Sequence, residues 1–399
     1  MKKLSVIFLS FLLIISIFCT YCAADSVIEP DDYLSGDEST EAGGAIPPLE
    51  VDATGACLME ASTGTVLFSQ NAEEAVAPAS VTKIMTLLLV MEALDSGAVT
   101  LEDKVTVSAN AASMGGSQVF LEEGEQMTLD DLLKCTVIAS ANDAAVALAE
   151  YVMGSEEAFV ARMNERAQEL GATTAVFENA TGLDDDVTCH VMSAMDVALI
   201  SRALISHRKI LEYASVWMDT IRDGAFTLTN TNRLIRYYDG ATGLKTGSTD
   251  KAKFCITATA DKNGMELIAV IMGAPSRDSR NASAKMLFDW GYANYALYTD
   301  PAVSCGEIDV VRGLKDSVPT TSTPISIVLP KAKVGEVARN VSMNGALTGP
   351  VRKGDDVGSV TYTLDGEVVG VAPICAEENV EGLSFWSFAY RMFKIFILS

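Results

Sequence analysis

Three short stretches of this chain hold residue types that do chemistry when brought together. Ser80-Val81-Thr82-Lys83 follows Pro78 at the start of an apolar periodic run, and the i, i+3 spacing sets a hydroxyl and an ammonium on one helical face. A serine needs a base to become a nucleophile, and a lysine serves only if burial or a neighbouring cation lowers its pKa. Ser140-Ala141-Asn142 offers a hydroxyl that can relay a proton and an amide that can bind both a lysine and a substrate amide. Lys245-Thr246-Gly247, followed by Ser248, puts a cation and a hydroxyl on an edge strand as a site for a carboxylate. Gly247 there is expected to let a substrate approach the backbone. Each stretch alone has a plainer reading. Ser206 to Lys209 and Ser248 to Lys251 share the first spacing, and Ser108, Ser279 and Ser342 also begin S-x-N. Asn142 also suits a helix N-cap, and the Lys245 segment also suits a surface turn.

The elements that must position these residues follow from periodicity. Ala56 to Phe68, turning at Ser62-Thr63-Gly64, reads as a β-hairpin. Helical periodicity covers Ala79 to Asp95, Thr128 to Ala139, Asp143 to Val152, and Glu156 to Leu170. Thr128 with Asp131 forms a capping-box pattern, and Ser193 with Asp196 caps a helix reaching Ser206. Strands at Phe254 to Ala260 and Met265 to Gly273 flank a turn at Asp261 to Gly264, and a last helix is expected from Ser279 to Tyr298. The fold class expected is α+β, an antiparallel sheet covered by helices over residues 49–300. Residues 301–382 change texture: short Val/Ile/Thr-rich runs punctuated by Gly and Pro indicate a small all-β domain. In residues 383–399, Ser384, Ser387, Arg391 and Lys394 make a narrow polar stripe on an otherwise apolar, aromatic helix. At ~1.5 Å per residue it falls short of a ~30 Å hydrocarbon core. It is therefore expected to lie along a membrane interface, or else to dock on the protein itself.

Composition narrows the function. The chain has 399 residues, 49% hydrophobic, enough for a sizeable core. Its 29 basic and 53 acidic residues give a net charge of −24, which argues against nucleic-acid binding. With His190 and His207 the only histidines, a His-rich zinc site or a histidine-driven triad is disfavoured. Lys2 and Lys3, the apolar run Val6 to Phe18, and Cys22-Ala23-Ala24 read as an export signal cleaved near residue 24. Residues 25–48, acidic and rich in Gly and Pro, read as a flexible linker. The six cysteines beyond the signal lie 50 or more residues apart, without metal-ligand or redox spacing, and most are expected to be buried free thiols.

Taken in order, the three stretches resemble the serine–lysine acyl-transfer signature of the penicillin-recognising enzymes. Within that superfamily the chain is most similar to the D-alanyl-D-alanine carboxypeptidases, the low-molecular-mass penicillin-binding proteins. The resemblance rests on Pro78 to Thr86, Ala139 to Ala144 and Gly243 to Gly247, and on the added β domain and terminal helix. It implies a β-lactamase/transpeptidase-like domain whose Ser80 attacks a stem peptide ending in D-Ala-D-Ala. Lys83 would be the base, and Ser140 would pass a proton to the departing D-alanine. Asn142 would orient Lys83 and the substrate amide, and Lys245 and Thr246 would hold the terminal carboxylate with help from Arg280. The Ser80 and Ser248 N–H groups would form the oxyanion hole. The resemblance further implies no metal or cofactor, β-lactams as covalent inhibitors, and peripheral attachment of an exported protein to the outer face of the cytoplasmic membrane. Two features depart from the pattern: the acidic linker, and the lack of the E-x-x-L-N segment that β-lactamases use to place a deacylating water. β-Lactamase, endopeptidase or transpeptidase activity and a non-catalytic wall-binding role are the alternatives.

Overall fold

The computed structural model describes residues 48–185 and 187–385, together with 389 and 393. The export signal, nearly all of the acidic linker and most of the terminal helix therefore lie outside the described residues. No helix among the described residues is long and apolar enough to cross a membrane.

In chain order the first part comprises β1 (Gly55–Glu60), β2 (Val66–Gln70), α1 (Lys83–Asp95), α2 (Leu129–Ile138), α3 (Asn142–Met153), α4 (Glu156–Glu169) and α5 (Ala194–Ser206). β3 (Ala241–Thr249), β4 (Lys253–Lys262), β5 (Met265–Ala274) and α6 (Arg277–Asn294) follow. The strands form one antiparallel sheet in the order β2-β1-β5-β4-β3. Both faces are covered, because successive side chains of a strand point to opposite sides. Cys57, Met59, Ile268 and Val270 join the core shared with α1 to α5. Ala56, Leu58, Leu267 and Ala269 join the core under α6. A helix this enclosed has no polar face to spare. In α1 every residue from Lys83 to Met91 is buried.

The helix starts are set by caps. Thr128 accepts the Asp131 N–H at 3.1 Å, and Ser193 and Asp196 complete a reciprocal capping box. The final helix stops at Asn294, short of the Tyr298 expected from periodicity. Tyr295–Asp300 instead forms strand β6, whose two tyrosines and Thr299 suit a ladder and which pairs antiparallel with residues 325–330.

The second part contains β7 (Ser304–Val311), β8 (Ser317–Ser322), β9 (Ile325–Pro330), β10 (Ala338–Met343), β11 (Leu347–Thr348), β12 (Asp356–Leu364) and β13 (Glu367–Ala376). β6 pairs with β9, and the rest form a six-stranded sheet in the order β10-β12-β13-β8-β7-β11. Its own core holds Val318, Val357, Val360, Tyr362 and Ile374. The six described cysteines are free, but only Cys57, Cys135 and Cys255 are fully buried; Cys189 is exposed.

Candidate active site

Ser80 stands in a short 3-10 turn, Ala79–Thr82, that feeds directly into α1. Ala79 enters it with φ +48° and Ser140 sits at φ +63°. This left-handed backbone costs a non-glycine residue ~1–2 kcal/mol, and such strain collects at functional sites.

Lys83 is fully buried, and its surroundings fix where its protons go. Nζ lies 2.6 Å from Asn142 Oδ1, 2.8 Å from the Thr181 carbonyl and 3.0 Å from Ser80 Oγ. The Asn142 amide is oriented by its Nδ2, which donates to the Gly115 carbonyl at 2.7 Å. Two of the three neighbours can only accept; the third is a hydroxyl that can donate. A neutral amine has two N–H groups and one lone pair. In that form the two carbonyls take the N–H groups, and the lone pair is the group that faces Ser80. Burial, and then the nearby Lys245 charge, hold the Lys83 pKa well below its ordinary value, with Asp143 opposing them. Asn142 is thus the first residue of α3, with Ala141 as N-cap. Its side chain serves the lysine instead of capping the helix.

Lys245 projects from β3, the edge strand of the sheet. Its Nζ donates to Ser140 Oγ at 2.7 Å and to the Thr246 carbonyl at 2.9 Å. Burial pushes its pKa down to about 7, with Arg280 adding to the shift. Thr246 Oγ1 donates to Thr231 Oγ1 at 2.8 Å. Gly247 is required for a reason other than the one its sequence suggests. A Cβ there would stand 2.8 Å from the Ser80 nitrogen and 2.9 Å from Pro78 O. The Ser80 turn, not a substrate, presses on this glycine.

A cleft of about 600 Å³ opens over these groups, lined by Ser80, Ser117, Ser140, Thr246 and Ser248. Arg233, Arg277 and Arg280 line it as well. Arg280 is buried and braced by Asn281 Oδ1 at 3.0 Å. None of the three arginines forms a salt bridge among the described residues, in a chain where acids outnumber bases 53 to 29. An anionic ligand is the natural partner of such a wall.

The family model described as D-alanyl-D-alanine carboxypeptidase matches residues 41–276. The chain belongs to the D-alanyl-D-alanine carboxypeptidase family. A second family model, penicillin-binding protein 5 C-terminal domain, matches residues 296–382. The chain is 42% identical to D-alanyl-D-alanine carboxypeptidase DacF of Bacillus subtilis over 86% of this chain and 90% of that relative. Among solved structures it is similar to penicillin-binding protein 5 from Haemophilus influenzae. The TM-score is 0.75 and the identity 31%, over 84% of this chain and all of the other. Penicillin-binding protein D2 from Listeria monocytogenes, solved in its ampicillin-bound form, aligns at TM-score 0.57 and 31% identity. That likeness covers 62% of this chain and the whole of the other.

Every residue singled out in the sequence as part of a carboxypeptidase site lies in or beneath this one cleft. Others in it were not foreseen: the Thr181 carbonyl, Ser117, Thr231, Arg233, Arg277 and the aromatic pair Trp217 and Tyr237. A backbone acceptor such as Thr181 leaves no mark of residue type. The Thr181-Gly182-Leu183 turn was the available hint, since Gly182 at φ +81° sits where a Cβ would collide with the Ala79 carbonyl. His190 was also passed over. It is buried behind the Ser80 turn, away from any reacting atom.

Proposed function

We propose that this chain is a serine-type D-Ala-D-Ala carboxypeptidase that uses Ser80 and Lys83 to remove the terminal D-alanine from peptidoglycan stem pentapeptides. The observation that carries the assignment of roles is the buried Lys83 Nζ lying 3.0 Å from Ser80 Oγ.

Lys83 takes the Ser80 proton as Oγ attacks the carbonyl of the penultimate D-alanine. The tetrahedral oxyanion is received by the N–H groups of Ser80 and Ser248, each such donor contributing ~3 kcal/mol. The Ser140 hydroxyl accepts from Lys245, so its own proton is free to reach the leaving nitrogen, and the proton that Lys83 took from Ser80 then restores the Ser140 hydroxyl and returns Lys83 to a free amine. The C–N bond breaks, D-alanine departs, and an ester on Ser80 remains. Water then attacks the ester, giving up a proton to Lys83, and Ser80 regains its hydrogen. Asn142 holds Lys83 and the substrate amide. Lys245, Thr246 and Arg280 hold the terminal carboxylate, whose charge matches the unpaired arginine wall. The ampicillin-bound relative supports β-lactams as covalent inhibitors that form the same ester.

Cell-wall remodelling at the outer face of the cytoplasmic membrane is the setting this reaction requires. The export signal and the apolar, aromatic tail support that placement. Deleting residues 386–399 should release the mature protein from membranes and leave turnover of a short soluble peptide nearly unchanged. A truncated protein that still sediments with membranes would refute the tail's role.

The reaction itself is tested with Ser80→Ala. The variant should release no D-alanine from a pentapeptide and take no covalent label from a fluorescent penicillin. Persistent labelling would remove Ser80 as nucleophile.

A further inference from the structure

The mechanism depends on Lys83 presenting its lone pair to Ser80, and hence on the Thr181 carbonyl that takes one of its N–H groups. That carbonyl belongs to the turn 178–183, which lies against the start of α1. Within the turn, Asn179 Oδ1 accepts the Thr181 and Gly182 N–H groups at 3.1 and 2.7 Å. This shapes the turn but does not fasten it to the helix. Three contacts do: Lys83 to Thr181 O, Thr86 Oγ1 donating to Ala180 O at 2.7 Å, and His190.

His190 is the least expected of the three. Its ring is 3% exposed. Nδ1 accepts the Glu178 N–H at 3.2 Å, and Nε2 lies 2.8 Å from Thr82 Oγ1. A backbone N–H cannot accept, so Nδ1 carries no proton and the ring's single N–H must be at Nε2, donating to Thr82. Burial keeps the ring neutral, with its pKa down to about 4. Phe177 meets the ring edge-on at 5.8 Å. One side chain thereby ties the beginning of the turn to the residue immediately before Lys83. Gly182 leaves no slack between them, as a Cβ there would come within 2.6 Å of Thr82 Oγ1.

We propose that His190, donating from Nε2 to Thr82 and accepting at Nδ1 from Glu178, is a positioning residue that holds the Thr181 carbonyl on Lys83 and so keeps the lysine lone pair directed at Ser80. The inference rests on the serine–lysine reading above. It gives a histidine that touches no reacting atom a part in acylation. Placement errors near 1 Å cost up to ~100-fold in rate, so a loosened turn should show in the acylation step and not in ligand affinity.

The test follows single-turnover acylation of the mature full chain by a fluorescent penicillin, with melting temperature recorded for each variant. His190→Phe keeps the ring's bulk and loses both hydrogen bonds; Thr82→Val removes the partner hydroxyl. Each should lower the limiting acylation rate constant by about 10- to 100-fold with the dissociation constant of the initial complex unchanged. Because both cut the same tie, the double variant should be no slower than the slower single one. His190→Gln, whose amide can still donate to Thr82, should recover most of the rate. Parental acylation in His190→Phe, losses that multiply in the double variant, or losses that follow the melting temperature would each overturn the proposal. If His190→Phe does not fold, Thr82→Val and His190→Gln decide: a parental rate in the first, or no advantage of Gln over the Thr82→Val rate, overturns it. If the parent chain takes no label at Ser80, the serine–lysine reading fails and takes this inference with it, which is visible before any variant is compared.

Discussion

The catalytic sheet and the C-terminal β sheet treat charge in opposite ways. In the first, Lys245 on β3 and Lys83 on the adjoining α1 are 1 and 0% exposed, set among carbonyls and hydroxyls with no carboxylate in ion-pair contact among the described residues. In the second, Lys315 and Lys333 stay at the surface in pairs with Glu378 and Asp365. The buried polar groups there include the hydroxyls of Thr320, Ser322 and Tyr362. Burying an amine is costly, and the cost is met by losing the charge. The catalytic part therefore trades stability for two lysines with lowered pKa values, whereas Lys315 and Lys333 of the second part sit in surface ion pairs. Its strands show the ordinary alternation of one buried face, as in the pattern of β12. The first sheet, covered on both faces, buries β1 entirely.

The comparison breaks most sharply at Lys83. Lys83→Met should cut acylation by at least ~1000-fold, the scale seen when a base is removed from a nucleophile pair. It should do so with only a modest loss of thermal stability, because an apolar side chain of similar length replaces a desolvated amine while the Asn142 and Thr181 carbonyls each lose one hydrogen bond. A large fall in melting temperature would mean that the lysine is structural.

Lys245→Gln should cost about 10- to 100-fold in kcat/KM for peptides with a free terminal carboxylate, the range of one charged hydrogen bond. Esterified or amidated peptides should lose less, only what Lys245 contributes through Ser140 and Lys83. The pH dependence has a definite sign. With its pKa lowered to about 7, Lys245 is largely neutral at pH 8 in the free enzyme, and a bound carboxylate favours its charged form. Binding at pH 8 should therefore take up a proton, and affinity should fall as pH rises above 7. Calorimetry of peptide binding to Ser80→Ala in buffers of different ionisation enthalpy reads this directly. The absence of proton uptake would show that Lys245 is not the carboxylate partner.

The smallest effect belongs to the second sheet. The buried Tyr362 hydroxyl donates to Asp300 Oδ2 at 2.6 Å, tying β12 to β6. Tyr362→Phe should lower stability by ~1 kcal/mol, as for one hydrogen bond, and leave D-alanine release from a soluble peptide unchanged. A loss of turnover would mean that the two sheets are coupled.

Residue type and short-range spacing singled out Ser80, both lysines and Ser140, which the fold brings to one cleft, since hydroxyl and amine groups are written in side chains. Strand alternation and helix caps placed most elements of the first part. What escaped depends on backbone position or on the partner across a fold. The Thr181 carbonyl has no side-chain signature, and the role of Gly247 appears only when β3 meets the Ser80 turn. The end of α6 was misplaced because apolar periodicity runs on through Tyr298, while β9, some 30 residues later, supplies the ladder that wins. His190 was discounted because two histidines are too few for a metal site, an argument that says nothing about a neutral, hydrogen-bonded imidazole.

The central claim is that Lys83 rests as a free amine with its lone pair on Ser80. It is tested most directly by the 13C chemical shift of lysine Cε carbons in the protein at pH 7, with Lys83→Met used to assign the Lys83 resonance. A Lys83 signal at the neutral-amine position, moving to the ammonium position only on acidification, is the predicted result. A signal at the ammonium position at pH 7 would contradict the account.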